Sequence, residues 1–100
     1  MKKINPKYFQ LASEVLSAMG DMTRFKILYE LTKKDFLTNS EISENLDMSK
    51  SAISHQMRIL KNLNLVDYKK DGRNILYFLT DPHIKKIIQI AIEHVDDFIY

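Results

Sequence analysis

One hundred residues, 45% of them hydrophobic and with only two glycines and two prolines, describe a single mostly helical domain spanning 1–100, with no length left for a second core. The formal charge of +2 is unevenly held: Ser49 to Arg73 carries six basic residues against Asp67 and Asp71, so the remainder of the chain is net acidic, a split expected of a nucleic-acid contact surface rather than of an evenly solvated one. The absence of cysteine excludes disulfides and thiolate metal sites, and with no membrane-length apolar run and no leader pattern a cytoplasmic protein without membrane contact is expected.

In chain order, Phe9, Ala12, Val15, Leu16 and Met19 fall at helical spacing within Pro6 to Met19, and Gly20 is predicted to end that helix. Asp21 restarts the chain into a second helix built on Phe25, Ile27, Leu28 and Leu31. Lys33 and Lys34 lie in its last turn, where positive charge suits the helix dipole. Thr38-Asn39-Ser40-Glu41 is a capping box opening a short helix with Ile42 and Leu46 on one side. Asp47-Met48 makes the turn. Ser49 then caps a longer helix, Lys50 to Leu63, whose Ile53, Met57, Leu60 and Leu63 face a core. Its other face carries Lys50, Ser51, Ser54, His55, Arg58 and Lys61, small, polar or basic groups suited to base edges and phosphates.

Two β-prone runs follow, Leu65 to Lys70 and Arg73 to Leu79, joined by Asp71-Gly72, a dipeptide suited to a type I′ hairpin. That register puts Val66 and Tyr68 with Ile75 and Tyr77 on one buried face. It leaves Lys69, Lys70 and Arg73 near the tip, within reach of a sugar-phosphate backbone. Helix, tight turn, second helix and basic hairpin is the layout of a winged helix-turn-helix that binds double-stranded DNA.

The segments Leu16 to Leu28, Leu46 to Met57 and Leu60 to Val66 resemble the ArsR/SmtB family of bacterial metal-sensing repressors, and the likeness extends over nearly the whole chain. The resemblance implies a mainly α subunit of order α-α-α-α-β-β-α. It also implies a homodimer that holds an inverted-repeat operator and releases it on binding a metal ion. The family's cysteine-based site at the start of the third helix has no counterpart here, since Thr38 and Ser40 stand in its place.

The last helix begins with Asp81 as N-cap and Pro82 at its first position. At 100° per residue, His94 lies about 20° around the axis from His83 and Asp97 about 40° to the other side, so all three share a face with Ile87, Ile90 and Ala91. His83 and His94 are nevertheless roughly 16 Å apart along the helix, too far to meet on one ion. Two copies remove the difficulty. In an antiparallel pair, residues meet when their numbers have a constant sum, and that sum is 177 for His83 with His94 and 178 for Asp81 with Asp97. Asp81 and His83 of one chain therefore meet His94 and Asp97 of the other, with a symmetric second site and an apolar seam between them.

Two imidazoles and two carboxylates suit tetrahedral Zn(II), with Co(II) and Ni(II) as alternatives. Asp81, His83 and His94 match the resembled family's last-helix pattern, whereas Asp97 stands where it has His or Glu. Asp96, Glu93 or water are the alternatives for that fourth place. Resembling proteins also link the metal-bound imidazole to a backbone carbonyl at the end of the reading helix, which here implies His94 donating to Asn64. The plainer readings make His83 a surface residue, His94 an interface residue bonded to a carbonyl, and Asp96-Asp97 a solvated acidic face opposed to Lys85-Lys86. His55 is assigned to DNA or a local hydrogen bond.

The rival function is a winged-helix module that binds DNA or a protein with no metal switch. An enzyme is set aside, because Ser54 and His55 are helical neighbours pointing about 100° apart with no acid to orient them.

Overall fold

The computed structural model describes residues 3–99. Five helices and three short strands run in the order α1 (Pro6–Gly20), α2 (Met22–Lys33), β1 (Leu37–Thr38), α3 (Asn39–Leu46), α4 (Lys50–Asn62), β2 (Val66–Asp71), β3 (Asn74–Leu79) and α5 (Pro82–Ile99). The strands form one antiparallel sheet of order β1-β3-β2. Strand β1 was not expected: its two residues, paired with Tyr77 and Leu76, are too short to carry a periodic signal.

Each helix start follows from a side chain that satisfies an otherwise orphaned amide. Asn5 caps α1 ahead of Pro6, and its Oδ1 accepts from the Lys7 amide at 2.9 Å. Asp21 caps α2 through the Arg24 amide at 3.1 Å. Thr38 and Glu41 form the reciprocal capping box, and Ser49 caps α4 through the Ala52 amide at 3.0 Å. The expectation for Gly20 fails in its mechanism. Gly20 stays helical, and α1 ends because Asp21 turns extended, at φ −68° and ψ 130°, to open α2.

The end of α4 is a Schellman motif that the sequence reading overlooked, having extended the helix through Leu63. Asn64 is left-handed at φ 60°, its amide donates to the Lys61 carbonyl at 2.9 Å, and the Leu65 amide reaches the Leu60 carbonyl at 3.0 Å. Asp47, at φ 52°, likewise makes the turn between α3 and α4.

The hairpin loop is Gly72-Arg73, not Asp71-Gly72, because the strands pair as Asp71 with Asn74, Lys70 with Ile75 and Tyr68 with Tyr77. Gly72 alone takes a positive φ in that loop, 62°. A positive angle at the first loop position and none at the second belongs to a type II′ turn rather than type I′. The slip is two residues, so each side chain keeps its expected face, but Tyr68 lies beyond the core edge and is 41% exposed instead of buried.

The core gathers Ile27, Leu28, Ile42, Ile53, Met57, Leu60, Val66 and Ile88 from four helices and the sheet. Arg24 fastens the α1–α2 corner to α4: its Nε donates to the Ala18 carbonyl at 2.9 Å and its Nη1 to Gln56 Oε1 at 3.2 Å. Two apolar surfaces stay uncovered. α1 buries only Ala18 and Met19 and leaves Tyr8, Phe9, Leu11 and Leu16 exposed. α5 buries Ile84 and Ile88, then runs on with Ile90, Val95, Phe98 and Ile99 exposed.

Candidate nucleic-acid interface and metal centre

The buried side of α4 fixes what its other side presents. With Ile53, Met57 and Leu60 in the core, Lys50, Ser51, His55 and Arg58 are exposed and Ser54 is half-buried. Ser54 is held from the neighbouring helix: Asn39 Nδ2 donates to Ser54 Oγ at 2.7 Å and also faces the Lys50 carbonyl at 3.4 Å. Asn39, at the first position of α3, thus reaches the first turn of α4, a contact that its place in the capping box does not signal.

Between α4 and the hairpin lies a cleft of about 440 Å³, lined by Ser54, Arg58, Lys61, Lys70 and Tyr68 over Met57, Ile75 and Tyr77. Tyr68 forms part of its wall, with its ring edge-on to Tyr77 at 6.1 Å. Lys61 is shared between the Tyr68 ring, 5.6 Å away, and Asp67 Oδ1 at 3.5 Å. The Tyr68 backbone amide, bonded to Asp67, holds that carboxyl below its usual range, with Lys61 adding to the effect.

The three hairpin cations do not converge. Lys70 opens into this cleft. Arg73 stands at the loop, in a smaller cleft of about 220 Å³ with Asn39, Ser40 and Lys50. Lys69 points to the opposite sheet face, where its Nζ sits 4.2 Å above the Phe36 ring, which is itself edge-on to Phe78 at 5.6 Å. Alternation along β2 dictates this, since adjacent strand residues cannot share a face.

On α5 the four candidate ligands lie at its two ends. Asp81 Oδ1 accepts from the His83 backbone amide at 2.7 Å, which caps the helix, and lies 3.1 Å from His83 Nδ1. His83 is 84% exposed at its side chain and turns its ring outward. His94 and Asp97 are exposed as well, and the His94 ring packs edge-on against Phe98 at 5.4 Å. Among the described residues, no three His, Asp or Glu side chains gather within one chain as a metal site. The donor set itself, two imidazoles and two carboxylates, is one that Zn(II) accepts. Just before Asp81, Thr80 Oγ1 donates to the Asn64 carbonyl at 2.6 Å and the Thr80 amide to the Leu65 carbonyl at 3.2 Å, so the start of α5 is tied to the end of α4.

Among the described residues, no helix is long and apolar enough to cross a membrane. The family profile described as bacterial regulatory protein, arsR family, matches residues 21–68, the segment from the cap of α2 to the wing. A cadmium resistance transcriptional regulatory protein CadC homolog from Staphylococcus aureus is 34% identical over 82 residues, covering 82% of this chain and 68% of its own length. A transcriptional repressor SmtB homolog from Synechocystis is 32% identical over 88 residues, covering 88% of this chain and 66% of its own. This chain thus spans about two thirds of the length of those relatives. In fold, it superposes with a TM-score of 0.86 on the homodimeric winged helix-turn-helix DNA-binding domain of a possible ArsR-family regulator from Mycobacterium bovis, at 17% identity, covering 99% of this chain and 94% of that one. With a capped helix-turn-helix, a wing and these relatives over most of its length, the chain belongs to the arsR family of bacterial regulatory proteins, regulators of transcription rather than enzymes.

Proposed function

We propose that this protein is a metal-responsive transcriptional repressor, whose homodimer holds an inverted-repeat operator and lets it go on binding Zn(II) or a similar divalent ion. The observation that carries the reading is α5: a helix whose apolar middle is uncovered and whose two ends each carry half of a nitrogen and oxygen donor set. The names of its relatives lend support, one a cadmium-resistance regulator and one a repressor, as does the homodimeric state of the Mycobacterium bovis domain.

On this reading α4 enters the major groove and presents Lys50, Ser51, Ser54, His55 and Arg58, while Lys70 and Arg73 meet the flanking backbone. The cleft between α4 and the wing gives a phosphate a basic wall at Arg58 and Lys70. Asp81 and His83 of one chain, with His94 and Asp97 of its mate, hold the ion. When bound, it supplies a fixed cross-link between the two α5 helices. Asp81 Oδ1 and His83 Nδ1 lie 3.1 Å apart, a spacing at which both can face one ion.

The Thr80–Asn64 bond then gives the subunit a mechanical link, since it joins the residue before Asp81 to the cap of the reading helix. The Asn64 carbonyl keeps a second lone pair, to which His94 of the mate can donate its other ring proton. Fixing α5 against α5 thereby biases the separation of the two reading helices.

The test measures zinc affinity by competition with a chromophoric chelator, with and without a saturating duplex that the protein itself enriches from a randomised library. Couplings of this kind are about 1–3 kcal/mol, and linkage requires that DNA weaken zinc binding by the same roughly 5- to 150-fold factor by which zinc weakens DNA binding. Equal affinities would refute the switch and leave a protein that binds metal and DNA independently.

A further inference from the structure

We infer that Asn39, outside the reading helix, keeps the Ser54 proton available to DNA. The inference rests on the proposed placing of Ser54 in the major groove and adds a second specificity-determining residue to it.

The chemistry begins with the orientation of the Asn39 amide. The Lys50 carbonyl can only accept, so the atom facing it at 3.4 Å must be the Nδ2 amino group, and the same group lies 2.7 Å from Ser54 Oγ. Nδ2 has only protons to offer, so Ser54 Oγ accepts with one lone pair and its own proton is turned away from α3. Among the described residues no acceptor takes that proton. Ser54 also borders the cleft beside Arg58 and Lys70. Accepting from an amide also polarises the hydroxyl and makes it a stronger donor.

Without Asn39 the Ser54 hydroxyl is at liberty to turn back and donate to the Lys50 carbonyl one turn earlier, the usual habit of helical serine. The amide blocks that retreat. Ser54 thereby keeps its proton free for acceptors on the major-groove edge such as purine N7, guanine O6 or thymine O4.

A second observation argues that this is not simply a helix-to-helix tie. Asn39 Oδ1 is buried and has no partner among the described residues. An unpaired buried acceptor is unfavourable, and the first position of a helix accommodates many residues without one. The contacts that hold this side chain are therefore its donations to Ser54 and the Lys50 carbonyl.

The experiment compares the affinity for a duplex enriched by the wild-type protein from a randomised library with that for a scrambled duplex of the same composition. Ser54→Ala is expected to lower this preference roughly 3- to 10-fold, the loss of one hydrogen bond. Asn39→Asp is the informative partner: a carboxylate takes the Ser54 proton and leaves only lone pairs facing DNA, while an acid at the first position of α3 suits the helix dipole and keeps the fold. Its added charge repels both duplexes alike, so it cancels in the ratio. Asn39→Asp is expected to lower the preference by the same factor as Ser54→Ala, and the double variant no further. Asn39→Ala, which adds no charge, is expected to do the same. Retained preference in Asn39→Asp and Asn39→Ala, with loss in Ser54→Ala, would overturn the inference and leave Asn39 as packing. Retained preference in Ser54→Ala itself would overturn the placing of Ser54, and the inference with it.

Discussion

Lys69 and Lys70 are sequence neighbours with the same charge and opposite surroundings, and the difference follows from the pleat of β2. Lys70 opens into the cleft beside α4, while Lys69 lies over the Phe36 ring on the far face. If the cleft side meets DNA, Lys70→Ala should weaken binding to operator and random duplexes alike and reduce the slope of log affinity against log salt by about 1, because each phosphate contact releases a counterion. Lys69→Ala should leave that slope near the wild-type value and cost about 0.5–1 kcal/mol in stability through the lost ring contact. A salt titration of both variants checks this. Equal slope changes would mean that the outer sheet face also approaches the backbone. Tyr68 belongs to the same comparison. Alternation put it correctly on the face of Tyr77, but no periodicity shows where along a strand the core stops.

The elements themselves were largely legible because their boundaries are chemical. Thr38 with Glu41, Ser49 ahead of Lys50, and Asp81 ahead of Pro82 each carry the group that satisfies an orphaned amide. Thr38→Ala should therefore cost about 1 kcal/mol of unfolding free energy, read by denaturant titration. The Glu41 carboxylate accepts from the Thr38 amide, which, aided by the Thr38 hydroxyl, holds its pKa below the usual value. Its contribution is thus fully present above the ordinary carboxylate range, about pH 4, and disappears as the pH falls through the lowered folded-state value. Glu41→Gln, which keeps an acceptor that does not titrate, should flatten that part of the acid limb, and a variant with an unchanged acid limb would show that Glu41 adds nothing to it. What the sequence left unread depends on tertiary partners. The left-handed Asn64 cap requires knowing that Leu65 turns back to the Leu60 carbonyl, β1 exists only because β3 lies beside it, and the hairpin loop shifted because Asp71 and Asn74 pair. The exposed face of α4 was visible from periodicity, whereas the Asn39–Ser54 bridge joins residues fifteen apart and is visible only when α3 meets α4.

At the scale of the whole molecule, α1 and α5 hold most of the exposed apolar side chains, and a monomer would leave them in water. The proposed antiparallel pairing, which would bring Asp81 and His83 to His94 and Asp97 of the mate, would also close Ile87 and Ile90 into the seam between the two sites. The metal-site reading therefore makes a demand on residues that are not ligands. Ile90→Asp, at a position 62% exposed in the single chain, leaves the buried core untouched and should keep the helical signal and unfold cooperatively. It should nevertheless sediment as a monomer, because a charge would have to be desolvated at the centre of the seam. If the sites are shared between chains, this monomer loses tight zinc binding with all four ligands intact, and it loses preference for a paired half-site because the fixed spacing of two reading helices is gone. Analytical ultracentrifugation with chelator competition on one preparation reads both. A folded monomer that still binds zinc as tightly as wild type would place the ligands within a single chain and contradict the arithmetic that joins Asp81, His83, His94 and Asp97 across the dimer.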